Sequence, residues 1–260
     1  MNEYLYFAKE IALYAGREML KYFNKDKNIE FKEDRTPVTK VDKMINDYVI
    51  KQVKSKYPNH SIVGEEAQSL TKSKYVWVCD PIDGTSMYTR GIPVSVFSLA
   101  LVYDGEPIVG VVYDPFLNRL YSAIKGEGAY CNDKRIGVND MEYGQLGNSI
   151  DYCMWNNAKF DTLKLALEMR KNNKLCQVGS TAHASMLVAT GKVSAEIFPG
   201  CSHGNCDIAA SALIVKEAGG MVTDFYGNEQ RYDRDINGAI LSNGKVHHKI
   251  LDIVKDVLDD

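Results

Sequence analysis

Residues 76–85 read VWVCDPIDGT, an apolar run that ends in two aspartates three positions apart. Val76, Trp77, Val78 and Cys79 fit a buried strand, and Pro81 cannot donate to a regular ladder beyond them. Asp80 and Asp83 therefore sit where a strand runs out, followed by Gly84 and Thr85. A surface turn favours these residue types, but so does a place where negative charge is needed. The rest of the chain decides between the two.

Upstream, Leu5, Ala8, Ala12, Ala15 and Met19 mark one face of a helix over residues 2–23. The polar stretch that follows, with Pro37 inside it, predicts a mobile loop. Val41, Ile45, Tyr48, Val49 and Val53 then repeat at helical spacing and predict a second helix ending before Pro58. Downstream, VSVFSLALVYDGEPIVGVVYD reads as two long strands joined at Asp104-Gly105, and NRLYSAIKGEGAYCND as a further hairpin. Beyond about residue 143 the pattern changes. Helices are expected at 158–171, from about Thr181, at 207–218 and at 245–258. Strands are expected at 175–178 and 193–198, and in GGMVTDFYG and GAILSN. The first half reads as α+β with an antiparallel sheet and the second as α/β. Two sub-domains, 1–143 and 144–260, would meet at an interface suited to a ligand.

The chain has 260 residues, 45% of them hydrophobic and 25% charged, with a formal net charge of −3. That balance offers no basic face for a nucleic-acid polymer. The N-terminus has no secretory or membrane-spanning pattern. Six scattered cysteines, 79, 131, 153, 176, 201 and 206, read as reduced thiols, so a cytoplasmic protein is expected.

Three more acidic signals accompany the opening motif. VGEEA puts Glu65 and Glu66 after a short apolar run, TPVTKVD puts Asp42 at a helix start, and NCDIAASALIVKEAGG opens an apolar helix with Asp207. Each has a bland explanation on its own, as a helix N-terminal acid or a solvated turn. Together they are harder to dismiss. Carboxylates gathered at the ends of buried elements repel one another unless protonated or neutralised by a cation. Hard oxygen ligands suit Mg²⁺, commonly with substrate phosphate completing its shell. Gly84 and Thr85 would add N–H groups at a helix start, a phosphate cradle.

DPIDGT, the upstream GEE and TPVTKVD, and the late DIAA that opens a helix ending in EAGG resemble the inositol monophosphatase family. GVVYDP and GEGAY extend the resemblance, which covers nearly the whole chain. It implies a layered αβαβα sandwich and a lithium-sensitive, Mg²⁺-dependent phosphatase with two or three ions per site. It further implies Glu65, Asp80 and the Ile82 carbonyl as ligands of a first ion, and Asp80, Asp83 and Asp207 as ligands of a second. Glu66 would support a third. Asp42 and Thr85 resemble the pair that orients and deprotonates the attacking water. Gly84 and Thr85 would hold the phosphate. Gly179, Ser180 and Thr181 resemble the segment facing the substrate ring, and the loop from Lys32 to Val38 a segment closing near the third ion. A homodimer is the family habit.

The sequence departs from that pattern before Asp207. Cys206 stands where the family usually has tryptophan. Counting back seven residues to the family's hydroxyl-binding glutamate lands on Gly200, which leaves Glu196 as the nearest candidate. A broad substrate range is therefore expected: inositol monophosphate, the 2′-phosphate of NADP or fructose 1,6-bisphosphate, with 3′-phosphoadenosine phosphates as the alternative. Two rivals are weaker. A haloacid-dehalogenase mechanism needs Asp-x-Asp, whereas the spacing here is Asp-x-x-Asp. A non-catalytic module is the other: a zinc half-site on Cys201, His203 and Cys206 lacks a second ligand pair, and against mere metal and phosphate binding every presumed ligand and the Asp42–Thr85 pair are present.

Overall fold

The structure is a computed structural model that describes residues 1–25, 28–32, 35–153, 162–200, 203–236 and 238–258. Helix α1 (Asn2–Tyr22) buries Phe7, Ala8, Ile11, Ala12, Ala15 and Met19 along one face, the three-and-four spacing of an amphipathic helix. A small hairpin of β1 (Glu30–Phe31) and β2 (Pro37–Val38) follows. It leads into α2 (Lys40–Lys56), whose N-cap Thr39 and third residue Asp42 exchange hydrogen bonds in a capping box.

Next come β3 (Ser61–Gly64), β4 (Gln68–Ser69), β5 (Tyr75–Asp83) and the short helix α3 (Thr85–Thr89). The long strands β6 (Val96–Tyr103) and β7 (Glu106–Asp114) turn at Asp104-Gly105, and β8 (Arg119–Ile124), β9 (Gly128–Cys131) and β10 (Lys134–Arg135) complete the meander. All of these strands join one sheet in the order β10-β9-β8-β7-β6-β5-β3-β4. It is antiparallel except for the β3–β5 pair. Beyond it lie β11 (Ser149–Tyr152), α4 (Thr162–Arg170), β12 (Lys174–Cys176), α5 (Thr181–Ala189) and β13 (Ala195–Phe198). The chain ends with α6 (Gly204–Glu217), β14 (Met221–Thr223), β15 (Ala239–Ser242) and α7 (His247–Leu258). The second sheet has the order β12-β11-β13-β15-β14.

Five layers result. α1 and α2 cover one face of the large sheet, α5 and α6 fill the space between the two sheets, and α4 and α7 cover the far face of the small one. Each gap has its own apolar core. Trp77, Phe97 and Leu99 pack under α1 and α2; Met186, Ile208 and Ile214 lie in the middle; Ile150, Ile240 and Ile250 lie beyond. A fully buried side chain of this kind contributes about 1.5–3 kcal/mol, so the central layer is firmly held. Gly110 on β7 lets α6 approach closely, since a Cβ there would come within 2.9 Å of the Ala210 carbonyl oxygen. The αβαβα sandwich expected from the resemblance is the architecture observed.

Details of the second half differ from the expectation. The small sheet is mixed, because β15 runs antiparallel to both β13 and β14. α6 begins at Gly204, three residues before the expected start at 207, because Asp235 accepts from the Gly204 N–H. β12 stops at Cys176 rather than 178, because the Val178 N–H is taken by the Asp151 carboxylate. The first part of the helix expected at 158–171 lies outside the described residues.

Candidate active site

The site starts from a defect in a strand. Asp80 pairs with Ser98 and Asp83 with Val96, so three steps along β5 match two along β6. This bulge, set where Pro81 has no N–H to give, brings Asp80 and Asp83 to the same end of the sheet. The Ile82 N–H donates to Asp80 Oδ1 at 2.9 Å and fixes the turn. Asp207 arrives from the first turn of α6, which packs on β5, β6 and β7. The three aspartates are at most 8% exposed, and each offers an oxygen within 4.8 Å of those of the other two.

Such crowding is electrostatically costly. Burial, reinforced by Glu65, Asp83 and Asp207, drives the Asp80 carboxyl well above the usual carboxylate range. Burial also raises Asp83, to about 6, against the pull of hydrogen bonds that favour its charged form. Those bonds come from the start of α5. The Ser180 hydroxyl and the Ala182 N–H (2.8 Å) donate to one oxygen, and the Thr181 N–H (3.3 Å) to the other. Ser180 and Thr181, candidates for facing the substrate ring, donate to Asp83 in this structure. Ser180 before a helical run is an N-cap signal, and the unpaired N–H groups of a helix start favour a carboxylate there.

Gly84 makes this approach possible. Its φ of +84° is left-handed, and a Cβ would lie 2.8 Å from Ser180 Cβ. No other residue type fits both demands. Gly84 also caps α3, whose first N–H groups have no acceptor within the helix.

Beside the aspartates, the Thr85 hydroxyl lies 3.1 Å from Asp42 Oδ1 and 2.8 Å from the Ile82 carbonyl oxygen. The other Asp42 oxygen accepts from the Thr39 N–H (2.8 Å) and the Thr39 hydroxyl. Burial raises Asp42 to about 7, against the Thr39 bonds and with help from Glu65 and Glu66. A carboxylate held near neutrality beside a hydroxyl is suited to moving a proton.

Glu65 and Glu66 stand at the rim. Lys32, on the turn between β1 and β2, reaches both, at 2.7 and 2.6 Å. Burial works against the Lys32 charge, but the two glutamates outweigh it and raise its pKa. Glu66 is raised chiefly by burial, with Lys32 opposing. Sequence reasoning placed the Lys32–Val38 segment near Glu66 but gave Lys32 no contact.

The remaining candidates make other contacts. Glu196 is fully buried in β13, where it accepts from the Ser185 hydroxyl. Of the conceivable zinc ligands, Cys206 is buried in the first turn of α6, His203 is exposed before it, and Cys201 lies outside the described residues. A separate cleft of about 730 Å³ runs along the β6–β7 turn and α6. Most of its charges are already paired, Lys125 with Glu106, Lys216 with Glu229 and Arg231 with Asp104, and Glu217 accepts from the Gly126 and Gly128 N–H groups.

Three buried, mutually repelling carboxylates offer only oxygen donors, the set a hard divalent cation takes. The residues therefore fit a metal ion, and Glu65, whose N–H donates to the Cys79 carbonyl oxygen at 3.1 Å, and the Ile82 carbonyl between the two aspartates could extend the set. Comparison with known proteins gives the family. A fructose-1,6-bisphosphatase/inositol-1-monophosphatase of Thermotoga maritima is 31% identical over 98% of this chain and 96% of its own length. Inositol monophosphatase 1 of Solanum lycopersicum is 33% identical over 88% of this chain and 87% of its own. Among solved structures, a Thermotoga maritima IMPase superposes with a TM-score of 0.88 at 30% identity, covering 100% of this chain and 99% of that one. The inositol monophosphatase family model matches residues 1–258, and the chain belongs to that family of metal-dependent phosphatases.

Proposed function

We propose that this enzyme is a Mg²⁺-dependent phosphomonoesterase acting on small phosphorylated metabolites by direct attack of water on phosphorus. The observation that carries the reading is the buried Asp80–Asp83–Asp207 cluster with the Thr85–Asp42 contact alongside it. Asp80, Asp83 and Asp207, with Glu65 and the Ile82 carbonyl, would hold two ions, and Glu66 a third. When bound, such ions lower the pKa of water and neutralise phosphate oxygens.

The chain's own residues supply the rest. Asp42, fixed by two bonds from Thr39, accepts a proton through or beside the Thr85 hydroxyl. Thr85 has one hydroxyl proton and two acceptors, Asp42 and the Ile82 carbonyl, so it can turn between them as that proton moves. The N–H groups at Gly84 and Thr85 face the substrate phosphate. The acidic chain thus binds an anion through cations held in the site rather than through a basic surface.

Glu196 is buried and bonded to Ser185, which supports a substrate range wider than inositol phosphate. The 2′-phosphate of NADP and fructose 1,6-bisphosphate are included, with 3′-phosphoadenosine phosphate as the alternative. The Thermotoga relative's name, which joins two activities, supports such breadth. Division into sub-domains 1–143 and 144–260, a homodimer and a cytoplasmic setting belong to the same reading. Among the described residues no helix is long and apolar enough to cross a membrane. Phosphate release from these four substrates, each with and without Mg²⁺, tests it. Efficient Mg²⁺-dependent release from several is expected. Release from inositol phosphate alone would reject the breadth, and release from none would reject the phosphomonoesterase.

A further inference from the structure

Two carboxylates in the small sheet have no part in the proposed chemistry, yet both hold the segment that reaches Asp83. Asp151 on β11 and Glu196 on β13 are register partners in a parallel pair, 2% and 0% exposed. An acid is costly at either place, and two acids side by side are more so. Burial raises Asp151 to about 6; burial, reinforced by Asp151, also drives Glu196 well above the usual carboxylate range. One oxygen of Glu196 has no hydrogen-bond partner among the described residues. Two apolar residues would pack here without that cost.

The contacts the acids make are specific. Asp151 Oδ2 accepts from the Val178 N–H at 2.9 Å, one residue before Gly179. Glu196 Oε2 accepts from the Ser185 hydroxyl, one turn into α5. Between these anchors lie Ser180, Thr181 and Ala182, the three donors to Asp83. The loop and the first turn of the helix are thus held at both ends by acids on adjacent strands, and the middle meets the metal-binding candidate. We infer that Asp151 and Glu196 are positioning residues that fix residues 178–185 so that its donors orient Asp83. The link to metal affinity rests on the metal-phosphatase reading above; the anchoring itself does not.

Hydrogen exchange of the 177–186 segment, followed by mass spectrometry in the full-length protein, tests the anchoring without metal or substrate. Asp151→Ala is expected to speed exchange there about tenfold, the order expected for losing one bond to a charged group. Asp151→Asn keeps an acceptor for the Val178 N–H and should remain within about twofold of the wild type. Glu196→Gln should likewise preserve protection, whereas Ser185→Ala, a smaller change that serves if Asp151→Ala does not fold, should reduce it. Titration with Mn²⁺ alone, read from the resonance of the free ion, tests the consequence. Asp151→Ala should weaken binding about tenfold, with Asp151→Asn restoring it. Unchanged exchange, or alanine and asparagine variants that behave alike, would overturn the anchoring. Faster exchange with unchanged Mn²⁺ affinity would overturn the link to Asp83. A wild type that binds no Mn²⁺ would instead remove the metal reading, while the exchange arms still decide the anchoring.

Discussion

Asp42 is the residue on which the proton chemistry turns. It is fully buried, bonded on one side by Thr39 and approached on the other by Thr85, and burial lifts it to about 7. A base must be ionised to work, so the rate should rise with pH through an acidic limb at or below pH 7, since bound cations lower the value from there. Asp42→Asn keeps most of the hydrogen-bond geometry but cannot take a proton. A fall in kcat of about 10²–10⁴-fold is expected, with KM little changed and the acidic limb gone. Kinetics across pH 5–9 for both proteins checks this, and an acidic limb that survives in Asp42→Asn would assign the base elsewhere. Asp42 was legible in the sequence because its spacing from Thr39 is a local capping signal. Lys32 was not, because its partners lie 33 and 34 residues away and only the fold brings them together.

At the scale of elements, two devices shape the site. The β1–β2 hairpin delivers the Lys32 ammonium to Glu65 and Glu66, where it competes with any cation they bind. Lys32→Ala should therefore lower the Mg²⁺ concentration for half-maximal activity several-fold; a raised requirement in the Mg²⁺ titration would contradict this. The second device is the contact of the β5–α3 turn with the start of α5. Gly84→Ala must adopt a positive φ and also meet Ser180 Cβ at 2.8 Å. A cost of about 1–3 kcal/mol is expected, visible as a lower unfolding midpoint together with reduced kcat. Elements set by local pattern were readable: the strand before Asp80, broken by Pro81, and the α1 and α2 stripes. Those set at a distance were not. The start of α6 depends on Asp235, 31 residues on, and the end of β12 depends on Asp151 capturing Val178. Neither leaves a local signal.

The whole molecule buries acidic groups in its interior. Asp42, Asp80, Asp83, Asp151 and Glu196 are all raised, burial being the first cause in each. A carboxyl with a raised folded pKa binds more protons folded than unfolded, so the folded state loses stability as pH rises from the ordinary carboxylate range through the raised values. The metal-free protein should accordingly unfold at progressively lower temperature from about pH 5 to pH 8. Mg²⁺ should restore most of the loss at pH 8 by occupying the aspartates; a melting temperature that rises over this range without metal would contradict the assignment. The central claim is that the buried aspartate cluster is a metal centre for phosphate-ester hydrolysis. Its most direct test is Mg²⁺ titration into wild type and Asp207→Asn, with binding heat and phosphate release from inositol 1-phosphate followed on the same preparations. Saturable binding that parallels release in the wild type, with both lost or strongly weakened in the variant, is the expected result. Release that needs no metal, or that Asp207→Asn leaves intact, would contradict the account.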